Sequence, residues 1–237
     1  MLKFIIGFQR RSGMSLAECH SHLREVHGPL VASVPEFTRH VRGYVQNYAV
    51  AEAREFIRSD FVADGAAELW FDSAETFISA YSEPLYLERI RPDEANFTNP
   101  LRYVATFARE VTVWAVQPSA PYKLIRFLAP VEGRTDIESQ GAWRAAHTAA
   151  LTDSAELRSL AVRYVQNWSI PSSENPFPLA EPFAGVDEFW FDTLQHAAAF
   201  CDAEQALRSA PEGMHGRASV SLLVREGVMP GYDRRTG

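Results

Sequence analysis

The residues of this sequence that are best suited to proton transfer occur as two pairs with one spacing. His27 and Tyr44 have counterparts in His147 and Tyr164, each 120 positions later (147 − 27 and 164 − 44). Histidine exchanges protons near neutral pH, which suits a general acid or base. A tyrosine hydroxyl can hydrogen-bond an oxygen on which negative charge develops. These four are therefore the candidate catalytic residues, and the structural alternatives are core histidines and tyrosines that fill a barrel.

The sequence around His27 predicts a helix over residues 15–26 that stops abruptly at Gly28-Pro29. Glycine permits the conformation that closes a helix, and proline cannot extend its hydrogen bonds. At roughly 100° per residue, His27 lies at the edge of one inward-facing apolar stripe. There the helix dipole favours the charged ring and burial favours the neutral one, a balance that suits proton exchange. The stripe consists of Leu16, Cys19, Leu23, Val26 and Leu30.

Candidate substrate-binding residues lie on the predicted strands at 43–48 and 67–71, and on the strand at 187–191 that repeats the second of these. Side chains alternate along a strand, so Gln46 shares a face with Tyr44, and Asn47 points to the opposite face. Trp70 and its counterpart Trp190 fill the core and could wall a flat aromatic substrate.

A glutamate on each of the same strands is predicted to be buried. Glu68, which is a further candidate substrate-binding residue, and Glu188 share a face with the tryptophans two positions later. Buried carboxylates are either paired with a cation or held protonated for proton transfer. For both glutamates we favour the first case, with an arginine such as Arg42 as partner.

No metal or nucleotide site is predicted. His20 and His22 look like a ligand pair, but side chains two apart on a helix diverge by roughly 200°. The usual zinc, calcium, serine-hydrolase and phosphate-loop motifs are absent from the sequence. The motifs therefore give no support to a metal site, a serine hydrolase or a dinucleotide or nucleotide cofactor. Haem stays open as an alternative, since one interior histidine is enough for an axial ligand.

The sequence contains an internal repeat. Tyr44–Asn47 recurs as Tyr164–Asn167, and Glu68–Asp72 recurs with one change as Glu188–Asp192, both at a spacing of 120. Near the end the spacing falls to 116, between Arg109 and Arg225 (225 − 109), so the second copy lacks residues in a loop. A proline-stiffened connector over residues 117–121 separates the copies. We therefore predict domains at 1–117 and 118–237.

Each copy is predicted to run strand, helix, strand, strand, helix, strand, which is an α+β arrangement. The strands are apolar on both sides, as expected for a sheet buried on both faces. We expect the two sheets to face each other as an internal pseudo-dimer. The first copy has strands at 3–8, 43–48, 67–71 and 103–113, with helices at 15–26 and from 72 or 73 toward 84. The second has strands at 123–128, 163–168, 187–191 and 218–225, with helices at 139–147 and 193–207.

Composition excludes several classes of partner. The net charge is −7, and no run of lysine or arginine is long enough to follow a nucleic acid backbone or an anionic membrane. The apolar residues 1–8 are too few for a secretion signal, and no segment is long enough to span a membrane. A cytoplasmic protein is expected, with Cys19 and Cys201 as reduced core residues.

Three segments of the first copy resemble the EthD-like family of the dimeric α+β-barrel superfamily. They are Arg10–Ser15, Leu23–Leu30 with its His-Gly-Pro-Leu end, and Tyr44–Asn47. The second copy keeps Trp143-Arg144, His147 and the Tyr-Val-Gln-Asn strand, but it has Thr148-Ala149-Ala150 where the family has Gly-Pro. The resemblance implies two ferredoxin-like βαββαβ repeats packed sheet to sheet as an intramolecular dimeric α+β barrel.

The resemblance also implies a function. Relatives are associated with decarboxylation, dehydration, cyclisation or isomerisation of aromatic and polyketide-like compounds, without a metal or organic cofactor. We therefore expect a lyase of the decarboxylase or dehydratase type that acts on a small hydrophobic or aromatic substrate, with a further homodimer as an open option. The alternatives are a haem-binding or haem-degrading barrel and a non-catalytic module that binds small molecules.

Overall fold

Eight antiparallel strands close into one barrel in the computed structural model, which describes residues 1–130, 136–176, 183–208, 218–229 and 232. Around the barrel the strand order is β1-β3-β2-β8-β5-β7-β6-β4, and β4 pairs back with β1. The strands are β1 (Leu2–Arg10), β2 (Val41–Ala49), β3 (Gly65–Phe71), β4 (Thr98–Ala115), β5 (Tyr122–Leu128), β6 (Arg163–Ser169), β7 (Gly185–Phe191) and β8 (Ala218–Val228).

The first four strands and the last four have the same internal order and the same register. Each half follows the order fourth, first, third, second, and the halves join where β2 pairs with β8 and β4 with β6. Lys3 lies opposite Trp70 in the first half, and Lys123 lies opposite Trp190 in the second. The predicted strands are therefore confirmed. The two four-stranded halves join edge to edge into one closed barrel, so the face of each half that the helices leave uncovered lies inside the barrel.

Helices surround the barrel. No helix in the described part of the chain is long and apolar enough to cross a membrane. The α-helices are α1 (Leu16–His22), α2 (Gly28–Ala32), α3 (Pro35–Thr38), α4 (Ala74–Tyr81), α5 (Arg91–Phe97), α6 (Asp136–Asp153), α7 (Ala155–Leu160) and α8 (Leu194–Arg208), with π-helical turns at Leu23–His27 and Tyr86–Ile90 and short 3₁₀ turns at Ala51–Glu55 and Ser172–Glu174.

Successive side chains of β1 point alternately outward and into the barrel, and both faces of the sheet are buried. Phe4 points outward, where its ring lies 5.2 Å from that of Phe77 on α4. Ile5 points into the barrel and is fully buried. Apolar residues on both faces of the strand thus serve two cores, one inside the barrel and one beneath the helices.

The predicted end of the helix at Gly28-Pro29 is wrong. The chain continues from α1 through the π turn into α2, and the Gly28 amide donates to the carbonyl of Leu23, five residues back. Pro29 has no amide hydrogen and its ring would clash with the carbonyl four residues earlier, so a wider turn accommodates it. His27 is therefore inside a helix and not at its C-terminus.

The wider turn also corrects the predicted apolar stripe. One extra residue in a turn rotates every later side chain by about 100° relative to the earlier part of the helix. Leu23 is buried as predicted, but Val26 is 47% exposed and His27 takes the inward position. The same rotation brings Val31 into the core.

Helix α5 was not predicted from the sequence, and it follows a second π turn of the same kind. The Arg91 amide donates to the carbonyl of Tyr86, five residues back, and Pro92 comes next. In both places a proline stands directly after the residue that closes the π turn. Helix α7 was also missed, and α6 extends the predicted helix at 139–147 in both directions.

Two glycines should respond in opposite ways to replacement by alanine. A side-chain carbon at Gly185 would contact the Trp143 ring and lie 2.8 Å from the Asn167 carbonyl, whereas Gly141 in α6 has open space. We expect Gly185→Ala to lower the free energy of unfolding by about 1–3 kcal/mol through overpacking. Gly141→Ala should raise it by about 0.5–1 kcal/mol. Urea unfolding measures both, and equal effects would contradict the packing described here.

Candidate functional site

The His27 ring is fixed by an aspartate that sequence reasoning missed. His27 Nδ1 lies 3.0 Å from Asp93 Oδ2, and His22 Nε2 lies 2.9 Å from the other oxygen of the same carboxylate. Because the carboxylate accepts from both rings, the neutral rings present His27 Nε2 and His22 Nδ1 as acceptors. Within the described residues, His27 Nε2 has no hydrogen-bond partner.

The surroundings hold Asp93 ionised. Burial, the largest single influence, acts to raise the pKa of Asp93, but the hydrogen bonds from His27, Asn96 and His22 outweigh it and the pKa falls below its usual value. The Phe97 ring lies against both imidazoles, with centroids 4.9 Å from His27 and 5.3 Å from His22. The His22–Asp93–His27 cluster is thus rigid and negatively charged when both rings are neutral.

Tyr44 lies on the same outer side of the sheet but does not contact the His27 ring. Its hydroxyl accepts a hydrogen bond from Gln46 Nε2 at 3.2 Å, and Gln46 Nε2 also lies 2.9 Å from the Leu23 carbonyl of the π turn. Among the described contacts, none joins the Tyr44 hydroxyl to His27. Burial raises the pKa of Tyr44, so its hydroxyl keeps the proton that an oxyanion would need.

A second carboxyl group near His27 was also missed by sequence reasoning. Glu94 on α5 accepts a hydrogen bond from the Tyr86 hydroxyl at 2.9 Å. Burial raises the pKa of Glu94, against smaller opposing effects that include the charge of His27. Glu94 therefore differs from its neighbour Asp93, since its pKa is raised and that of Asp93 is lowered.

In the second half, His147 and Tyr164 do meet. The Tyr164 hydroxyl lies 3.2 Å from His147 Nδ1 and donates to Asp187 at 2.7 Å. His147 Nε2 lies 3.2 Å from Glu204, which also pairs with Arg126. Both ring nitrogens of His147 are therefore engaged, and the ring is only 1% exposed.

The two halves differ because two charged residues of the network around His147 have apolar counterparts in the first half. Ile6 corresponds to Arg126, and Ala67 corresponds to Asp187, each at the spacing of 120 (126 − 6 and 187 − 67). Both apolar residues pack against the outer core of the first half. His147 thus belongs to a closed network of buried charges, whereas one nitrogen of His27 has no partner in the part of the chain that the structure describes.

Removing the tyrosine hydroxyl should destabilise the second half more than the first. Removing the Tyr164 hydroxyl leaves Asp187 with one donor fewer in a buried network, so Tyr164→Phe should lower the free energy of unfolding by about 1–3 kcal/mol. Among the described residues, the Tyr44 hydroxyl accepts from the Gln46 amide and has no acceptor of its own, so Tyr44→Phe should cost less, about 0.5–1.5 kcal/mol. Denaturant unfolding of the two variants tests this order, and the reverse order would contradict it.

The predicted partner of Glu68 was wrong, since Arg42 pairs with Asp72 at the surface. Glu68 instead points into the barrel, where its oxygens lie 3.2 Å from Lys3 Nζ and 2.5 Å from Lys123 Nζ. Glu188 completes a central group, at 2.8 Å from Lys3 and 3.4 Å from Lys123. We call these four residues the interior charge cluster.

Three of the other predicted substrate-binding residues lie around the interior charge cluster and not beside His27, namely Asn47, Trp70 and Trp190. Lys3 Nζ stands 4.8 Å from the Trp70 ring, and Lys123 Nζ stands 5.3 Å from the Trp190 ring. The Asn47 amide donates to Glu68 at 3.4 Å. Of the predicted binding residues, only Gln46 shares the outer face with His27 and Tyr44.

The haem hypothesis requires an imidazole nitrogen that is open to an iron atom. His147 does not fit this requirement, because protein groups lie within 3.2 Å of both its nitrogens. His27 Nε2 has no partner among the residues with described positions, but the His27 side chain is only 9% exposed. In the described part of the chain, no group of three or more His, Cys, Asp or Glu side chains is arranged to hold a metal ion.

Comparison with known proteins agrees with this architecture. Residues 11–101 match the model of the EthD domain. An anthrone oxidase-like protein of known structure covers 99% of this chain and 96% of its own, with a TM-score of 0.58 and 13% identity. A mutant chlorite dismutase from Candidatus Nitrospira defluvii covers 95% and 91%, with a TM-score of 0.55 and 14% identity.

At these identities the structural matches show a shared fold and nothing more. The search of curated proteins found no match. The EthD match spans the π turn with His27, the Tyr44 strand and the helix that carries Asp93. Residues 11–101 are therefore similar to the EthD domain, within a chain that has the α+β-barrel fold.

Proposed function

We propose that this protein is a lyase that uses His27 as its acid–base group on a small aromatic or polyketide-like compound, without a metal or organic cofactor. The observation that carries the proposal is the fixed imidazole: Asp93 holds Nδ1, and Nε2 is left without a partner in the described structure. An ionised carboxylate that orients a histidine in this way fixes its tautomer and stabilises the charged ring.

The geometry supports two related reactions. In a decarboxylation, the substrate carboxylate leaves as carbon dioxide, its bonding electrons stay on the carbon, and protonated His27 Nε2 delivers a proton there. In a dehydration, neutral His27 Nε2 removes a proton next to a carbonyl, and the hydroxyl leaves as water after it takes a proton from Glu94. The raised pKa of Glu94, caused mainly by burial, suits this second role.

Tyr44 has a supporting role in both reactions. Its buried hydroxyl stays protonated and donates a hydrogen bond to the substrate oxygen as negative charge develops. Asp93 is a positioning residue, since it acts through the two histidines that it holds.

One working site per chain is the arrangement that we propose, on two βαββαβ repeats derived from a tandem duplication. The repeats share their strand order and the opposed Lys–Trp positions. In the second repeat, buried carboxylates hydrogen-bond the His147 ring and the Tyr164 hydroxyl, which are the groups that a substrate would need. His147 and Tyr164 thus stabilise the fold, although their motif matches the first repeat.

A turnover screen tests the proposal. Metal-free protein is incubated with hydroxylated aromatic carboxylic acids and with polyketide-like hydroxy ketones, and mass spectrometry follows the loss of carbon dioxide or water. We expect product from at least one class, formed by the wild type and not by His27→Gln. Product formation that survives in His27→Gln would remove the proposed mechanism.

A further inference from the structure

The last described residues of the chain, Met229 and Tyr232, pack over the first repeat. The Met229 amide donates to the Tyr44 carbonyl at 3.2 Å, and the Tyr232 amide donates to the Met229 carbonyl at 3.0 Å. A side-chain carbon at Gly28, the residue after His27, would overlap the Met229 side chain. Met229 and Tyr232 belong to the same outer core as Tyr44. The second repeat therefore supplies part of the wall around Tyr44.

The Tyr232 hydroxyl is buried and has no hydrogen-bond partner among the described residues. The whole residue is only 9% exposed. The nearby Thr38 hydroxyl donates to the Pro35 carbonyl instead, at 3.5 Å. Burial raises the pKa of Tyr232, and Thr38 opposes this only in part, so the hydroxyl keeps its proton. A buried hydroxyl of this kind destabilises the fold unless a ligand accepts its hydrogen bond.

The Tyr232 ring packs edge-on against the Tyr44 ring, with centroids 6.1 Å apart and planes at 78°. Burial is the main cause of the raised pKa of Tyr44, and the neighbouring Tyr232 adds to it. In the described structure, the Tyr44 hydroxyl accepts from Gln46 and finds no acceptor for its own proton. Two neighbouring buried hydroxyls are thus left to donate to a ligand.

The second repeat shows that an aromatic residue can cover the tyrosine without an unused polar group. The Trp114 ring, near the end of β4, lies 4.9 Å from the Tyr164 ring. Its indole N–H donates to the Ala161 carbonyl at 3.0 Å, and its backbone pairs with Tyr164 in the sheet. Trp114 therefore has a structural role, which the Tyr232 hydroxyl does not share.

We infer that Tyr232 is a further catalytic residue of the proposed reaction, which donates a hydrogen bond beside Tyr44 to the substrate oxygen that becomes negative. The inference rests on the proposed function. Glu94 lies within electrostatic reach of both Tyr44 and His27, so one substrate can meet the tyrosines and the imidazole. Two fixed donors in a buried site stabilise a developing oxyanion. Met229 and Tyr232 follow the end of β8, so they can move aside for the substrate without breaking the barrel.

Binding of 4-nitrophenolate tests the donor pair without turnover, because this anion mimics the charged oxygen and its absorbance distinguishes it from the phenol. We expect Tyr232→Phe to bind 4-nitrophenolate about tenfold or more weakly than the wild type, and the neutral ether 4-nitroanisole equally. On the substrate found by the screen, kcat should fall about 10²-fold or more. The urea midpoint of unfolding should stay the same or rise, because the lost hydroxyl has no partner in the described structure.

Tyr122→Phe is the matched control, since it removes a tyrosine hydroxyl at the surface of β5 that accepts from Arg225. It should leave kcat and the affinity for 4-nitrophenolate unchanged. Equal affinity in Tyr232→Phe, or no binding to the wild type at millimolar 4-nitrophenolate, would overturn the inference. If His27→Gln keeps turnover while Tyr232→Phe loses 4-nitrophenolate, the proposed function fails and the donor pair stands. If only His27→Gln loses turnover, the proposed function stands and the role of Tyr232 fails.

Discussion

Replacement of His27 by glutamine should lower kcat by about 10²–10⁴-fold, which is the usual contribution of a positioned acid–base group. Glutamine fills a similar volume and can hydrogen-bond Asp93, so the helix should keep its structure. It cannot exchange a proton, and the reaction loses the group that protonates or deprotonates carbon. Steady-state kinetics on the substrate found by the screen measures the loss, and circular dichroism checks the fold.

His147→Gln is the matched control for this experiment, since it makes the same change at the corresponding position of the second half. It should leave kcat within a few-fold of the wild type and should instead lower the unfolding midpoint, because it disturbs a buried network. If the two variants lose activity equally, both halves contribute working sites. If neither loses activity, His27 is a structural residue and the non-catalytic binding module becomes the better hypothesis.

The sequence was most informative about the strands and least informative about the groups around His27. Apolar residues on both sides of 3–8 and 67–71 predicted strands buried on both faces, and Phe4 and Ile5 show this. The helix end was wrong because Gly28-Pro29 is a common stop signal, and local sequence does not distinguish a stop from a π turn held by tertiary contacts. Side-chain positions after such a turn cannot be read from the helical period.

Asp93 was missed because the sequence gives no sign that α5 packs against the π turn 66 residues earlier. One available signal was overlooked. Lys3 and Lys123 are the only lysines in the chain, and they are 120 positions apart (123 − 3). A residue type confined to one position of each repeat indicates a site that both repeats build, and here that site is the interior charge cluster.

Lys123→Met should lower the free energy of unfolding by about 3–5 kcal/mol, because it removes one of the two cations that balance the buried carboxylates. Lys123 Nζ lies 2.5 Å from Glu68, 2.9 Å from Glu226 and 3.4 Å from Glu188. Methionine matches the length of the lysine stem, so packing changes little and the lost charge dominates. Urea unfolding gives the value, with Arg24→Ala as a surface control that should cost less than about 1 kcal/mol.

Amine labelling offers a second measure of the same effect. The side chains of Lys3 and Lys123 are at most 2% exposed, so an amine-reactive ester should label the folded protein only at its N-terminus. Labelling of Lys3 under native conditions then reports opening of the barrel. It should be faster in Lys123→Met than in the wild type, and an unchanged rate together with unchanged stability would contradict the counter-charge argument.

Glu188 should make the free energy of unfolding depend on pH. Burial, and next the charge of Glu68, raise the pKa of Glu188, so the folded state holds a proton that the unfolded chain releases at lower pH. This contribution to stability is present below the unfolded pKa and is lost as the pH rises through the folded value. Glu188→Gln removes the titration, so its stability should fall less than that of the wild type as the pH rises. Equal slopes would show that Glu188 is ionised in the folded protein and that the two lysines fully balance the cluster.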